Sequence, residues 1–329
     1  MSTQPVSTQP MNAVMDVLPD FEQIRDAAAR IAPHARVTPV LRSAALDTLS
    51  GAELYFKCEH LQRGGAFKFR GACNAVWTLT DEQAAHGVVT HSSGNHGNAL
   101  ALAAATRGIA AHVVVPEGAV RAKVAAIERA GAILHRCAPT QAAREAMCAE
   151  VQRATGAELV HPYADTRVMA GQGTVALELL QQVPDLDALI TPVGGGGLAS
   201  GVAIAAHAVN PGLALFGAEP QGADDTLQSL ARGERVGGIV PDTLCDGLRA
   251  LIGATNLDAL RQHQVQVISV TDAETIAAMQ LIWSELKQVV EVSSATVLAA
   301  ILKQPACFAG RRVGLVITGG NVDLQALPW

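Results

Sequence analysis

Lys68 has the strongest case for covalent chemistry in this chain. It sits in Gly64-Gly65-Ala66-Phe67-Lys68-Phe69-Arg70-Gly71-Ala72, one amine between two phenylalanines at the start of an apolar run. An amine placed this way is partly desolvated, which favours its neutral form and so its attack on a carbonyl. On this segment alone, an ordinary lysine laying its stem along apolar side chains reads the same. Three other clusters supply what such an amine needs around it. Gly194, Gly195, Gly196 and Gly197 stand consecutively between an apolar strand pattern and a helix pattern. Such a loop lets the backbone approach a ligand closely and turns several N–H groups on one phosphate, whereas a tight turn needs only one or two glycines. Ser92-Ser93-Gly94-Asn95-His96-Gly97 precedes an alanine-rich helix, a suitable place for a carboxylate or for a plain capped helix start. The third cluster is Thr318-Gly319-Gly320-Asn321.

A separate acidic stretch, Glu219-Pro220-Gln221-Gly222-Ala223-Asp224-Asp225, brings three carboxylates around a loop-forming centre. Side-chain and carbonyl oxygens there suit a hard divalent cation, and a solvated acidic loop is the alternative.

The elements that must position these residues alternate between strand and helix. Helical spacing covers 21–31, stopped by Pro33; strand patterns cover 53–59, 87–90, 112–115, 132–137, 158–160, 188–192, 214–218, 265–270 and 313–318. Between them, helices are predicted at 71–79, 98–106, 120–130, 140–155, up to 180 after Gly171-Gln172-Gly173-Thr174, at 198–208 and at 273–286. Alternation of this kind means parallel strands joined by crossover helices, an α/β fold. A smaller α/β domain is expected at 87–163, a larger one from 17–86 and 164–329, and a flexible tail at 1–16, where Ser-Thr-Gln-Pro occurs twice.

The four motifs, in this order and at about this spacing, resemble the fold-type II pyridoxal-phosphate (PLP) enzymes of the serine/threonine dehydratase and serine racemase family, from about residue 40 to 324. The resemblance implies a two-domain, tryptophan synthase β-like fold. It implies Lys68 as the amine that tethers PLP and then moves the α-proton, and Phe67 against the ring. Asn95 then bonds the ring hydroxyl, Gly194, Gly195, Gly196, Gly197 and the N–H of Leu198 hold the phosphate, Glu291 joins the cofactor site, and Thr318 faces the ring nitrogen. Ser93 is the residue that acts as acid and base on the opposite face in the racemase branch. Ser92, Ser93, Asn95 and His96 become candidates for the substrate α-carboxylate, although His96 is equally readable as a packed histidine. The wording Ala66-Phe67-Lys68-Phe69-Arg70 is similar to the racemase and 3-hydroxyaspartate dehydratase branch. In that branch the segment around Arg144 can carry an arginine for a second carboxylate, the alternative being a helix arginine paired with Glu145 or Glu150. Glu219, the carbonyl of Ala223 and Asp225 match the branch's magnesium or manganese site.

The activity implied is a PLP-dependent dehydratase (ammonia-lyase) of a β-hydroxy amino acid, 3-hydroxyaspartate first, then serine and threonine. A serine or aspartate racemase with side elimination is the main rival. Val292-Ser293-Ser294-Ala295 stands where the family has Pro-Ser or Pro-Thr after the glutamate, which leaves other substrates open, phenylserine or hydroxyectoine-derived diamino acids among them. A catalytically idle cofactor-binding protein is the reading from a different class, and the filled chemical positions argue against it.

Composition narrows the rest. With 329 residues, 49% hydrophobic and 16% charged, the chain can bury a sizeable core. A net charge of −6 with scattered basic residues argues against nucleic acid. Six cysteines without a CxxC pair suggest neither a zinc knuckle nor a disulfide framework, and point to a reducing cytoplasm. No apolar run reaches membrane-spanning length, so no membrane is expected as a partner. A homodimer is the family expectation.

Overall fold

The computed structural model describes residues 16–119 and 121–329, so the Ser-Thr-Gln-Pro repeat lies outside the described residues. Ten strands form two sheets among them: β1 (Val40–Leu41), β2 (Glu53–Cys58), β3 (Val88–Thr90), β4 (Ala111–Pro116), β5 (Ile133–Cys137), β6 (Glu158–Leu159), β7 (Ala188–Pro192), β8 (Ala214–Pro220), β9 (Gln266–Val270) and β10 (Arg312–Ile317). The larger sheet has the order β1-β2-β10-β7-β8-β9 and the smaller β5-β4-β3-β6. Every pairing is parallel except that of β1 with β2.

The helices are α1 (Phe21–Ile31), α2 (Ala44–Ser50), α3 (Lys68–Thr78), α4 (Asp81–Ala85), α5 (Asn95–Arg107), α6 (Arg121–Arg129), α7 (Gln141–Thr155), α8 (Thr166–Gln182), α9 (Gly197–Val209), α10 (Asp225–Arg232), α11 (Ala254–Gln262), α12 (Asp272–Leu281) and α13 (Val292–Lys303). They cover both faces of the larger sheet. Tyr55, Leu189, Leu215 and Val316 point into the core shared with α1, α8 and α9, while Leu54, Phe56, Ile190, Phe216 and Leu315 enter the core beneath α12 and α13. A strand buried on both faces carries apolar residues at successive positions, which is why these strands read as short apolar runs.

Three helices differ from the sequence expectation, the first two because of tertiary contacts. Helix α3 begins at Lys68 instead of residue 71, because the Phe67 N–H donates to the Thr318 carbonyl and Ala66 bridges Gly319, which ends the extended segment there. Helix α8 runs straight through Gly171 and Gly173. A Cβ at Gly171 would lie 2.6 Å from the Gly71 Cα of α3, and one at Gly173 2.8 Å from the Gly201 carbonyl of α9, so these glycines are sites of close helix packing. After α12 the chain continues as a π-helical turn, Ile282–Leu286, closed by Lys287 at φ 56°. Helix α13 is buried from Ser293 to Ile301 and therefore shows no one-sided periodicity.

A buried ionic network fixes α3 from below. Arg70 reaches Glu59 through two bonds of 2.7 and 2.8 Å and Glu178 on α8 at 3.0 Å. Lys57 on β2 donates to Glu178 at 2.5 Å, to the Thr38 carbonyl and to Gln182. Lys57, Glu59 and Arg70 are all but inaccessible to solvent. Removing one partner of a buried pair strands the others, at a cost of about 3–5 kcal/mol. Glu178→Ala is therefore expected to lower the urea midpoint and melting temperature sharply, while Glu22→Ala, at the exposed Arg25 pair, leaves both unchanged. Equal, small shifts in the two variants would refute a structural role for the network.

Candidate active site

The central strands of the larger sheet, β2, β10 and β7, are neighbours, so the loops that follow them emerge side by side at one sheet edge. Ligands in parallel sheets bind at these carboxyl ends. The loop after β2 carries Lys68, the loop after β10 carries Thr318, and the loop after β7 carries the four glycines. The loop after β3 of the smaller sheet, which also carries Ser92, brings Asn95 to the same place, as the hydrogen bonds of Asn95 show.

The Lys68 loop is laced to the Thr318 loop: besides the Phe67 bond to Thr318, the Gly320 N–H donates to the Gly65 carbonyl at 2.9 Å. At the first residue of α3, Lys68 directs its Nζ to the Pro162 carbonyl at 2.9 Å and over the Phe67 ring at 5.1 Å. Desolvation lowers its pKa from 10.5 to about 8, so a substantial fraction of the amine is neutral near physiological pH. The apolar neighbourhood inferred from Phe67 and Phe69 is matched, with the carbonyl of Pro162, 94 positions away, added by the fold.

Asn95 opens α5 and sits in an amide chain. Its Nδ2 donates to Glu291 at 2.8 Å, its Oδ1 accepts from Asn321 at 2.9 Å, and Asn321 also donates to the Gly64 carbonyl. Glu291 is buried, its second oxygen has no partner, and burial, with opposing contributions from Lys123 and Asp246, pushes its carboxyl up to about 7. Thr318 shares a 3.0 Å bond with the Ser294 hydroxyl, which is itself anchored to Gly319.

The N–H groups from Gly194 to Leu198 donate to no other protein group, and they stand at the amino end of α9. Five successive open donors, with a helix dipole behind them, suit a phosphate. Gly196 adopts φ 91°, a conformation glycine alone takes without strain. Together with a half-buried amine and an orphaned carboxyl oxygen at Glu291, this donor set fits pyridoxal phosphate.

Around this centre, the hydroxyls of Ser92 and Ser93 are half-buried and bonded to no protein group. His96 is turned inward: it is buried and its Nε2 bonds the Val160 carbonyl at 3.1 Å. Its Nδ1 then carries a lone pair, which repels a carboxylate, so the packed-histidine alternative describes it. Arg144 on α7 pairs with neither Glu145, which Gln141 holds, nor Glu150, and its Nε is buried without a partner. Its charge is felt at His91, next to Ser92, where Glu145 acts in the opposite sense and more strongly.

Glu219 is the last residue but one of β8, Ala223 lies in a short 3-10 turn and Asp225 begins α10. Glu219 accepts the N–H groups of Thr226 and Leu227, and Asp225 that of Ile252. Burial, with Asp225 adding to it, pushes Glu219 up to about 8, and burial also raises Asp225. Two buried carboxylates stand here; no group of three or more His, Cys, Asp or Glu residues is placed to hold a metal among the described residues.

Sequence reasoning did not single out Pro162, Tyr163, His161 or Ser294. The first three follow β6, so the rule that parallel strands deliver ligand contacts at their carboxyl ends was the signal available for them. No helix among the described residues is long and apolar enough to cross a membrane.

Comparison with known proteins agrees with this geometry. Residues 31–319 match the family described as "Pyridoxal-phosphate dependent enzyme". The chain is 47% identical over 312 residues to the beta-hydroxyaspartate dehydratase of Paracoccus denitrificans, covering 95% of this chain and 99% of that one. It is 47% identical over 313 residues to a serine racemase of Arabidopsis thaliana, covering 94% and 95%. The structure of maize serine racemase superposes with a TM-score of 0.92 at 44% identity, covering 94% of this chain and 95% of that one. A half-buried lysine amine, an open glycine cradle and these likenesses agree: the chain belongs to the pyridoxal-phosphate dependent enzyme family, in its fold-type II dehydratase and racemase group.

Proposed function

We propose that this enzyme is a dehydratase (ammonia-lyase) of β-hydroxy amino acids, with 3-hydroxyaspartate as its first substrate and serine and threonine after it. The observation that carries the preference is Arg144: a guanidinium with a buried, unpartnered Nε near the Ser92 loop is suited to a substrate's second carboxylate. The similarity to a protein named beta-hydroxyaspartate dehydratase supports it.

When bound, pyridoxal phosphate supplies a carbonyl for an amine and a sink for the electron pair left at an α-carbon. The N–H groups of Gly194, Gly195, Gly196, Gly197 and Leu198 hold its phosphate in this reading, Phe67 packs on the ring, Asn95 and Glu291 serve its hydroxyl side and Thr318 its ring nitrogen. Lys68, the tether, has an amine neutral enough at about pH 8 to take the α-proton from the substrate, and the Pro162 carbonyl holds that amine when it is free. Ser92, Ser93 and Asn95 bind the α-carboxylate, and Arg144 the distal one. Thr318 presents a neutral hydroxyl where a carboxylate would stabilise positive charge, which disfavours transamination and favours departure of the β-hydroxyl. Water leaves across Cα and Cβ, water adds back at the nitrogen-bearing carbon, and a 2-oxo acid and ammonia result.

A serine or aspartate racemase with side elimination is the second reading. The uncommitted hydroxyl of Ser93 and the relatives named serine racemase favour it. We read 17–86 with 164–329 as the PLP-binding domain and 87–163 as the smaller substrate domain, in a cytoplasmic homodimer. Six free cysteines, five of them buried, fit a reducing compartment. Magnesium or manganese is assigned to Glu219, the Ala223 carbonyl and Asp225, with water completing the shell, because two neighbouring buried carboxylates gain most from a cation.

Four sets of measurements test these assignments. Lys68→Ala is expected to abolish both turnover and the yellow absorption of bound cofactor; an active, yellow variant overturns the site. A substrate panel read by 2-oxo acid release should rank 3-hydroxyaspartate above serine and threonine in kcat/KM, with Arg144→Met cutting the first by about 100-fold and sparing serine. Chiral analysis of the recovered substrate reports racemisation in the same samples. The rate at which cofactor-free protein takes up pyridoxal phosphate should rise with pH through a midpoint near 8 and level off above it, since the neutral amine is the reactive form; a midpoint near 10.5 would mark Lys68 as solvated. For the metal, a chelator is expected to lower the melting temperature, magnesium to restore it, and Glu219→Gln to remove the response.

A further inference from the structure

One turn, His161 to Ala164, touches both halves of the site. The Pro162 carbonyl accepts the Lys68 amine at 2.9 Å. The next residue, Tyr163, lies against the glycine loop: a Cβ at Gly195 would stand 2.4 Å from its ring carbon Cδ1, and a Cβ at Gly197 2.9 Å from its Cα. Neither position has room for a side chain, whatever a phosphate requires. The turn is itself held. The Nδ1 of His161 accepts the N–H groups of Tyr163 and Ala164 at 3.4 and 3.1 Å, and the two rings meet edge to face at 4.6 Å. Asn256, buried on α11, donates to the Tyr163 carbonyl and to Ser200 of α9, closing the contact from the other side.

We propose that Tyr163 is a positioning residue: through adjacent residues its turn ties the Lys68 amine to the phosphate-holding loop, so their separation is set by protein contacts. Consecutive Cα atoms stand about 3.8 Å apart whatever the side chains do, so a carbonyl at 162 and a ring at 163 form a short, stiff ruler. Gly195 and Gly197 are then glycine partly because Tyr163 occupies the space a Cβ needs. This inference rests on the reading of Lys68 and the glycines as the holders of pyridoxal phosphate.

The test titrates cofactor-free full-length protein with pyridoxal phosphate and with pyridoxal, which lacks the phosphate, following the yellow absorption and the melting temperature. Pyridoxal phosphate must satisfy amine and cradle together, and pyridoxal only the amine. Tyr163→Ala is expected to weaken pyridoxal phosphate by about tenfold or more through lost preorganisation, and pyridoxal by less than about threefold. Tyr163→Phe, which keeps the ring, should stay within about twofold of the native protein for both. Gly195→Ala should weaken pyridoxal phosphate in the native background and add little once Tyr163→Ala has made room. Strictly additive losses for that pair, an equal loss of both ligands, or a phenylalanine variant as damaged as the alanine one would each overturn the proposal. If the alanine variant does not fold, Tyr163→Leu carries the same comparison. A native protein with no preference for pyridoxal phosphate over pyridoxal, or a Lys68→Ala protein that still turns yellow, sinks the site reading instead.

Discussion

Close contact between helix backbones is the constraint on which the rest of the structure depends. Helix α8 lies between α3 and α9, touching the first where Gly171 meets Gly71 and the second where Gly173 meets Gly201. The amino ends of α3 and α9 carry the reactive amine and the open N–H groups, so the depth at which both helices seat on α8 fixes how far apart those groups stand. A methyl group at any of these glycines pushes backbone against backbone, and no rotamer change can relieve that. The turn at Tyr163 repeats the measurement at the site itself, from the opposite side.

Charge is managed by the same packing. Arg70, two residues beyond Lys68, takes its place in a buried network with Glu59, Glu178 and Lys57, so the permanent cations near α3 are neutralised at its base. Lys68 has no carboxylate among the causes of its shift: desolvation alone acts on it, and its hydrogen-bond partner is a carbonyl. An ion pair would have held its proton. The neighbouring imidazoles agree, since burial above all keeps His96 well below its ordinary value and brings His161 down to about 3, so that both are neutral. The wall of the site is therefore neutral where the amine stands. Arg144, on the smaller-sheet side, keeps its Nε buried without a partner.

Much of this was legible in the residues. Lys68 between phenylalanines, four glycines between a strand and a helix, and the Ser-Ser-Gly-Asn and Thr-Gly-Gly-Asn runs each state a local chemistry, because desolvation by neighbours, backbone freedom and helix-start donors are properties of a few successive positions. The alternation of elements likewise implied parallel sheets. Helix α13 was not legible, being buried on every side from Ser293 to Ile301, nor was the start of α3, set by a hydrogen bond from Phe67 to Thr318. Gly171 and Gly173 read as standing ahead of a helix and proved to be packing positions inside it.

The sequence by itself determined which chemical groups exist and the loops that present them, since these follow from side-chain type and local backbone freedom. Only the tertiary structure decided which groups meet. The Pro162 carbonyl at the amine, the Ser294 hydroxyl at Thr318, Asn321 at Asn95 and Tyr163 on Gly195 join positions far apart in the chain. Strand order does this: β2, β10 and β7 are neighbours in the sheet although they are distant along the chain, and side-by-side strands bring their loops together whatever lies between them.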